Sequence, residues 1–124
     1  MEYRINIAQN AQGDIRKNVD YIRSELKNPS AAKNLLTETR MKVQSLKQHP
    51  KRCPLVGDKH LALVGFRMIA VKKYYLFYII YDEKSEVRII RQLHSRQDWR
   101  TILGAEFSES GYLNEDEEIL YNMK

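Results

Sequence analysis

Apolar and polar positions alternate with two different periods along this chain, and the switch points outline its architecture. Tyr3 to Ala8 alternates with period two: Tyr3, Ile5 and Ile7 on one side, Arg4 and Asn6 on the other, as in a half-buried strand. Helical spacing then takes over. Ala11, Ile15, Val19, Ile22 and Leu26 form one stripe, with Arg16, Lys17, Arg23 and Lys27 outside it. Asn28-Pro29-Ser30 interrupts the helix and starts another, because proline is tolerated in a first turn and asparagine can cap it. Ala32, Leu35, Leu36, Thr39, Val43 and Leu46 mark this second helix, which ends near His49-Pro50. So short a break predicts an antiparallel helical hairpin.

Residues 50–63, with Pro50, Pro54 and Gly57, read as a loop. Val64–Val71, Tyr74–Tyr81 and Glu86–His94 then read as strands, rich in β-branched and aromatic residues. Lys72-Lys73 and Asp82–Ser85 are short enough for hairpin turns. Tyr74–Tyr81 is apolar on both faces, as suits a central strand covered on both sides or a dimer face. Asp98–Leu103 predicts a short helix ending at Gly104, with Asp98 in the N-cap position. Asn114, followed by four acids and then Ile119, Leu120 and Met123, predicts another helix, since acids favour a first turn. The expected fold is α+β: an antiparallel sheet of the N-terminal strand and three C-terminal strands, packed against an αα-hairpin, with a short C-terminal helix and an acidic tail.

The 124 residues suit one domain, here residues 1–104, with 105–124 as an acidic extension. The longest apolar run has about eight residues, far short of a membrane span. The N-terminal residues lack a basic stretch followed by an apolar one, which points to a cytoplasmic protein. Cys53 is the only cysteine, so neither an intrachain disulfide nor a cysteine zinc site is expected. Nothing in the sequence calls for a metal or a cofactor. Residues 1–104 hold 20 Lys+Arg against 10 Asp+Glu, whereas 105–124 hold one Lys against six acids. A basic body attracts polyanions or acidic proteins. An acidic, partly apolar tail could shield that surface.

The ordered features Gly65-Phe66-Arg67, the tyrosine-rich strand Tyr74–Ile80, the final strand leading into His94-x-Arg96-x-Asp98-Trp99, and the Leu46–Pro50 helix end resemble the RelE/ParE superfamily of bacterial type II toxins. The resemblance covers about residues 3–103. It implies a growth-inhibiting, plasmid-stabilising toxin neutralised by a cognate antitoxin whose acidic and apolar segment wraps it. It also implies one of two targets: ribosome-bound mRNA, cut by RelE-like enzymes, or DNA gyrase, poisoned by ParE-like members.

RNA cleavage through the 2′-hydroxyl needs a proton acceptor, a proton donor and cations around the phosphate. Arg67, His94 and Arg96 are the candidates for that work, His94 because imidazole can exchange protons near neutrality. Lys72, Lys73, Tyr75, Arg91 and Trp99 are candidates for target binding, Trp99 as a base-stacking platform. Each has a plainer role: Arg67 and Arg96 as surface charges, His94 as a local cap, Trp99 as a core anchor, the tyrosines as sheet packing. Where the resemblance implies a second basic strand residue the chain has Ile69, and where it implies an arginine on the central strand it has Tyr75. Both differences tilt the reading toward ParE-like gyrase inhibition. The alternatives are a RelE-like ribonuclease with a changed catalytic set and a non-toxic basic domain that binds nucleic acid or protein.

Overall fold

A computed structural model describes residues 2–109, with side chains described to residue 106. The helix expected after Asn114 lies outside these residues. Strand β1 (Arg4–Ile7) leads into α1 (Gln9–Asp20), which continues as a π-helical turn over Tyr21–Glu25. Helix α2 (Pro29–Ser45) follows, then a 3-10 turn at Pro50–Arg52 and a short helix α3 (Lys59–Val64). Strands β2 (Arg67–Val71), β3 (Tyr74–Tyr81) and β4 (Glu86–His94) precede the last helix, α4 (Trp99–Glu109). The α1–α2 break forms as the sequence dictates: Pro29 opens α2, and the Asn28 side chain accepts a hydrogen bond from Ala31 N–H at 3.1 Å.

The sheet has the order β1-β4-β3-β2. β2, β3 and β4 are antiparallel neighbours, but β1 lies parallel to β4, with Ile5 opposite Val87. The sheet is therefore mixed, which corrects the expectation of an antiparallel one. Hairpins fix the relative direction of successive strands, whereas two helices and a loop part β1 from its neighbours in sequence. Periodicity carries no direction for such a strand.

Both faces of the sheet are covered. On one, Val71, Tyr74, Leu76, Tyr78, Val87 and Ile89 pack against Ala11, Val19, Ala32, Leu35, Val43 and Leu46 of the helical hairpin and its C-terminal cap. On the other, Phe77, Ile79, Ile90 and Leu93 pack against Leu61, Phe66, Trp99 and Leu103 around α3 and α4. β3 is thus the central strand covered on both sides that its composition predicted. A bulge shifts the β3–β4 register: Phe77 faces Arg91 while Tyr78 faces Ile89, leaving Ile90 as the extra residue.

Three element boundaries differ from the sequence reading. The loop 50–63 contains α3, capped by Asp58, whose carboxylate accepts from Leu61 N–H at 3.1 Å. It ends at Gly65, whose φ of 106° is the left-handed region open to glycine. Val64 therefore closes a helix instead of opening β2. Helix α4 does not stop at Gly104 but runs on to Glu109, because the turn beyond the glycine buries Glu106 and ties it to Arg91 at 3.1 Å. Finally, the π-helical turn adds a residue to the first helix, with Leu26 N–H bonded to Tyr21 C=O at 3.2 Å. That extra residue rotates Leu26 off the buried stripe, and it stands 57% exposed.

Candidate functional site

Three chain reversals meet at one end of the molecule: the α1–α2 corner, the β2–β3 turn and the β4–α4 connection. The β2–β3 turn is Lys72-Lys73, with Lys72 in the left-handed region at φ 56°. It is pinned to the β4–α4 connection by Ser95 N–H donating to Lys73 C=O at 2.9 Å. His94 stands between them. Its backbone N–H donates to Gln97 Oε1 at 2.7 Å, and its Nδ1 accepts from Arg96 N–H at 3.1 Å. The Tyr74 ring meets the imidazole edge-on, with centroids 5.2 Å apart. His94, Lys72, Lys73 and Arg96 are therefore gathered at one end of the sheet, with both lysines and Arg96 exposed.

Below this cluster lies a hollow of about 490 Å³ between the helical corner and the sheet. Tyr21, Ile22, Leu26 and Leu35 form one wall, and Lys72, Lys73, Tyr74 and His94 the other. Tyr21 is 52% exposed, so apolar surface lies open beside a pair of lysines. The sequence reading singled out neither Tyr21 nor Leu26, because helical spacing assigns Leu26 to the core. The π-helical turn that exposes it has no periodic signature.

Arg67 belongs to the opposite end of the sheet. It pairs with Tyr78, whereas His94 pairs with Tyr74, four positions further along, or about 13 Å at the usual rise of a strand. The Arg67 guanidinium donates to the carbonyls of Cys53 at 2.6 Å and Lys51 at 3.3 Å, bracing the 3-10 turn. The Tyr78 hydroxyl braces the same turn by donating to Pro50 C=O at 2.7 Å, and burial pushes its pKa upward. Ile69 and Leu76 occupy the strand positions between Arg67 and His94.

The remaining candidates are spread over other surroundings. Tyr75 is half-buried on the α4 side, its ring edge-on to Phe77 with centroids 6.0 Å apart. Trp99 is buried and packs on Phe77 with ring centroids 5.3 Å apart, while the Arg100 guanidinium lies over its ring at 4.4 Å. Asp98 caps α4, accepting from the Thr101 hydroxyl at 2.7 Å and more weakly from Thr101 N–H. Those bonds hold its carboxyl below the usual range.

Arg91 is engaged inside the protein. Its Nε and Nη2 bind the two oxygens of Asp14 at 2.6 and 2.9 Å, and its Nη1 binds Glu106. The Asp14 bonds raise its pKa further. β1 ends opposite Ile89, so α1 supplies partners for the next part of the β4 edge. Asp14 accepts from Gln92 N–H at 3.0 Å, and the Asn18 amide donates to Gln92 C=O at 3.2 Å. The Gln92 side chain in turn donates to Thr39 at 2.9 Å. This polar seam joins α1, α2, β4 and α4, and no local sequence pattern announces it. Among the described residues, no group of three His, Cys, Asp or Glu is placed to hold a metal ion. None of their helices is long and apolar enough to cross a membrane.

Residues 5–99 match the model of a family described as the ParE toxin of the type II toxin–antitoxin system parDE. Three solved structures share the fold. One is a chromosomal ParDE toxin–antitoxin system from P. aeruginosa, with a TM-score of 0.61 at 15% identity, over 75% of this chain and 96% of that one. The second is the RelBE2 toxin–antitoxin complex of Mycobacterium tuberculosis, with a TM-score of 0.52 at 22% identity, over 76% and 92%. The third is a free double mutant of E. coli RelE, with a TM-score of 0.53 at 20% identity, over 82% and 93%. A search of curated protein sequences returns no match.

Proposed function

The chain belongs to the ParE toxin family of type II toxin–antitoxin systems, and from that premise we propose that it arrests growth by binding a large target, DNA gyrase, without cutting RNA. The observation that carries this reading is the separation of the candidate catalytic groups. A base, an acid and a phosphate-binding cation must all lie within hydrogen-bond reach of one phosphate. Arg67 is committed to the Cys53 and Lys51 carbonyls at the far end of the sheet from His94, and Arg91 is committed to Asp14 and Glu106. Exposed Lys72, Lys73, Arg96 and Arg100 suit a binding surface for an acidic or polyanionic partner. A cognate antitoxin that neutralises the toxin belongs to the same reading, since two of the structures sharing the fold are toxin–antitoxin assemblies.

One arrangement favours the ribonuclease alternative: His94 lines the same hollow as Lys72 and Lys73, and Arg96 lies two residues beyond it. Induction in growing cells separates the two readings. Gyrase-dependent DNA breaks with intact translated mRNA are expected. Cuts at ribosomal A-site codons by primer extension, abolished by His94→Ala and Arg96→Ala, would overturn the gyrase reading.

A further inference from the structure

The hollow at the α1–α2 corner has an exposed apolar wall and a lysine wall, and the chain carries a segment of matching chemistry. Residues 115–118 are four consecutive acids, followed by Ile119, Leu120 and Met123, a spacing that fits one side of a helix. We propose that the acidic segment 114–123 docks in this hollow within its own chain, with Ile119, Leu120 and Met123 against Tyr21, Leu26 and Tyr74 and the acids beside Lys72 and Lys73. The segment then covers the basic end of the sheet and acts as a built-in competitor for acidic partners of that surface.

The geometry allows the connection. Glu106 accepts a hydrogen bond from the Asn10 amide at 2.6 Å, so α4 finishes beside the first turn of α1. From Asn10 to Tyr21 along a helix is about 16 Å. Residues 110–114, if extended, span about 17 Å. A shallow depression along α1, lined by Gly13, Arg16, Lys17, Asp20 and Glu25, leads to Tyr21, which also lines the hollow. The path is thus of mixed charge, and among the described residues the unopposed cations are Lys72 and Lys73 at its end. Charge supplies the choice of seat. Of the other exposed large apolar residues, Leu63 at 75% and Leu55 at 45% lie around α3, and Met41 at 62% lies near the far end of α2; none of the three lines the hollow beside Lys72 and Lys73. Opposite charges there strengthen docking most at low ionic strength, because salt screens them.

The proposal names a regulator of the surface assigned above to target binding, and it is tested without reference to toxicity. In full-length Cys53→Ser protein, the pair Leu26→Cys and Ile119→Cys should form an intramolecular disulfide under mild oxidation. The pair Leu63→Cys and Ile119→Cys should remain reduced. Adding Lys72→Glu and Lys73→Glu should slow the Leu26–Ile119 cross-link at least fivefold. Equal cross-linking at Leu26 and Leu63, no cross-link at Leu26, indifference to charge reversal, or disulfide-linked dimers in place of monomers would each overturn the proposal. A monomeric cross-link found in a protein that proves to cut mRNA would leave the docking intact and remove only the gyrase reading.

Discussion

Replacing Arg91 by leucine tests whether the polar seam holds α1 and α4 to the sheet. The wild-type guanidinium makes two bonds to Asp14 and one to Glu106, and its own side chain is 20% exposed. The carboxylates are more enclosed, at 13% and 7%. Leucine fills part of the space but leaves two enclosed carboxylates without their cation. Breaking a buried pair by removing one partner costs about 3–5 kcal/mol, and the partial exposure of Arg91 argues for the lower end, about 3 kcal/mol. At about 4 °C per kcal/mol for a fold of this size, Tm should drop by about 12 °C. Urea melts at pH 7 should show this loss directly. Asp14→Leu should cost less in the Arg91→Leu background than in wild type, because there it no longer strands the guanidinium, whereas the loss of the acceptor for Gln92 N–H is common to both. A loss below about 1 kcal/mol would refute this role for the seam.

Two further outcomes are expected. Tyr78→Phe removes a buried hydroxyl and leaves Pro50 C=O without its donor, so denaturant melts should show a loss of about 1–2 kcal/mol. Asp98→Ala should lower Tm at pH 7 by uncapping α4. Because the Asp98 pKa is depressed in the fold, its contribution is present above the ordinary carboxylate range and is lost as pH falls, so the wild type and the variant should converge below about pH 4.

Local chemistry was legible in the sequence, and long-range pairing was not. Asn28-Pro29 predicted both the break and the cap, and the unbroken apolar run of β3 predicted a strand covered on two faces. Asp98 as a cap and Trp99 as a core anchor follow from position alone. The direction of β1 depends on a partner about 80 residues away, which no local pattern encodes. Helix α3 is hard to read from sequence although Asp58 and Gly65 bracket it, because two prolines and a glycine just before it argue for a loop. The candidate site divided in the same way. His94 and Arg96 are close in sequence and remain close in space. Arg67 and His94 sit on different strands, and their distance depends on where each strand begins and on register, not on motif spacing.

Growth arrest by binding gyrase, as proposed, and arrest by RNA chemistry part company in a supercoiling assay with purified DNA gyrase titrated with the purified chain. Inhibition should saturate with toxin and weaken with Lys72→Glu and Lys73→Glu. Undiminished supercoiling at a toxin concentration that causes codon-specific mRNA cleavage in a translating extract would contradict the gyrase reading.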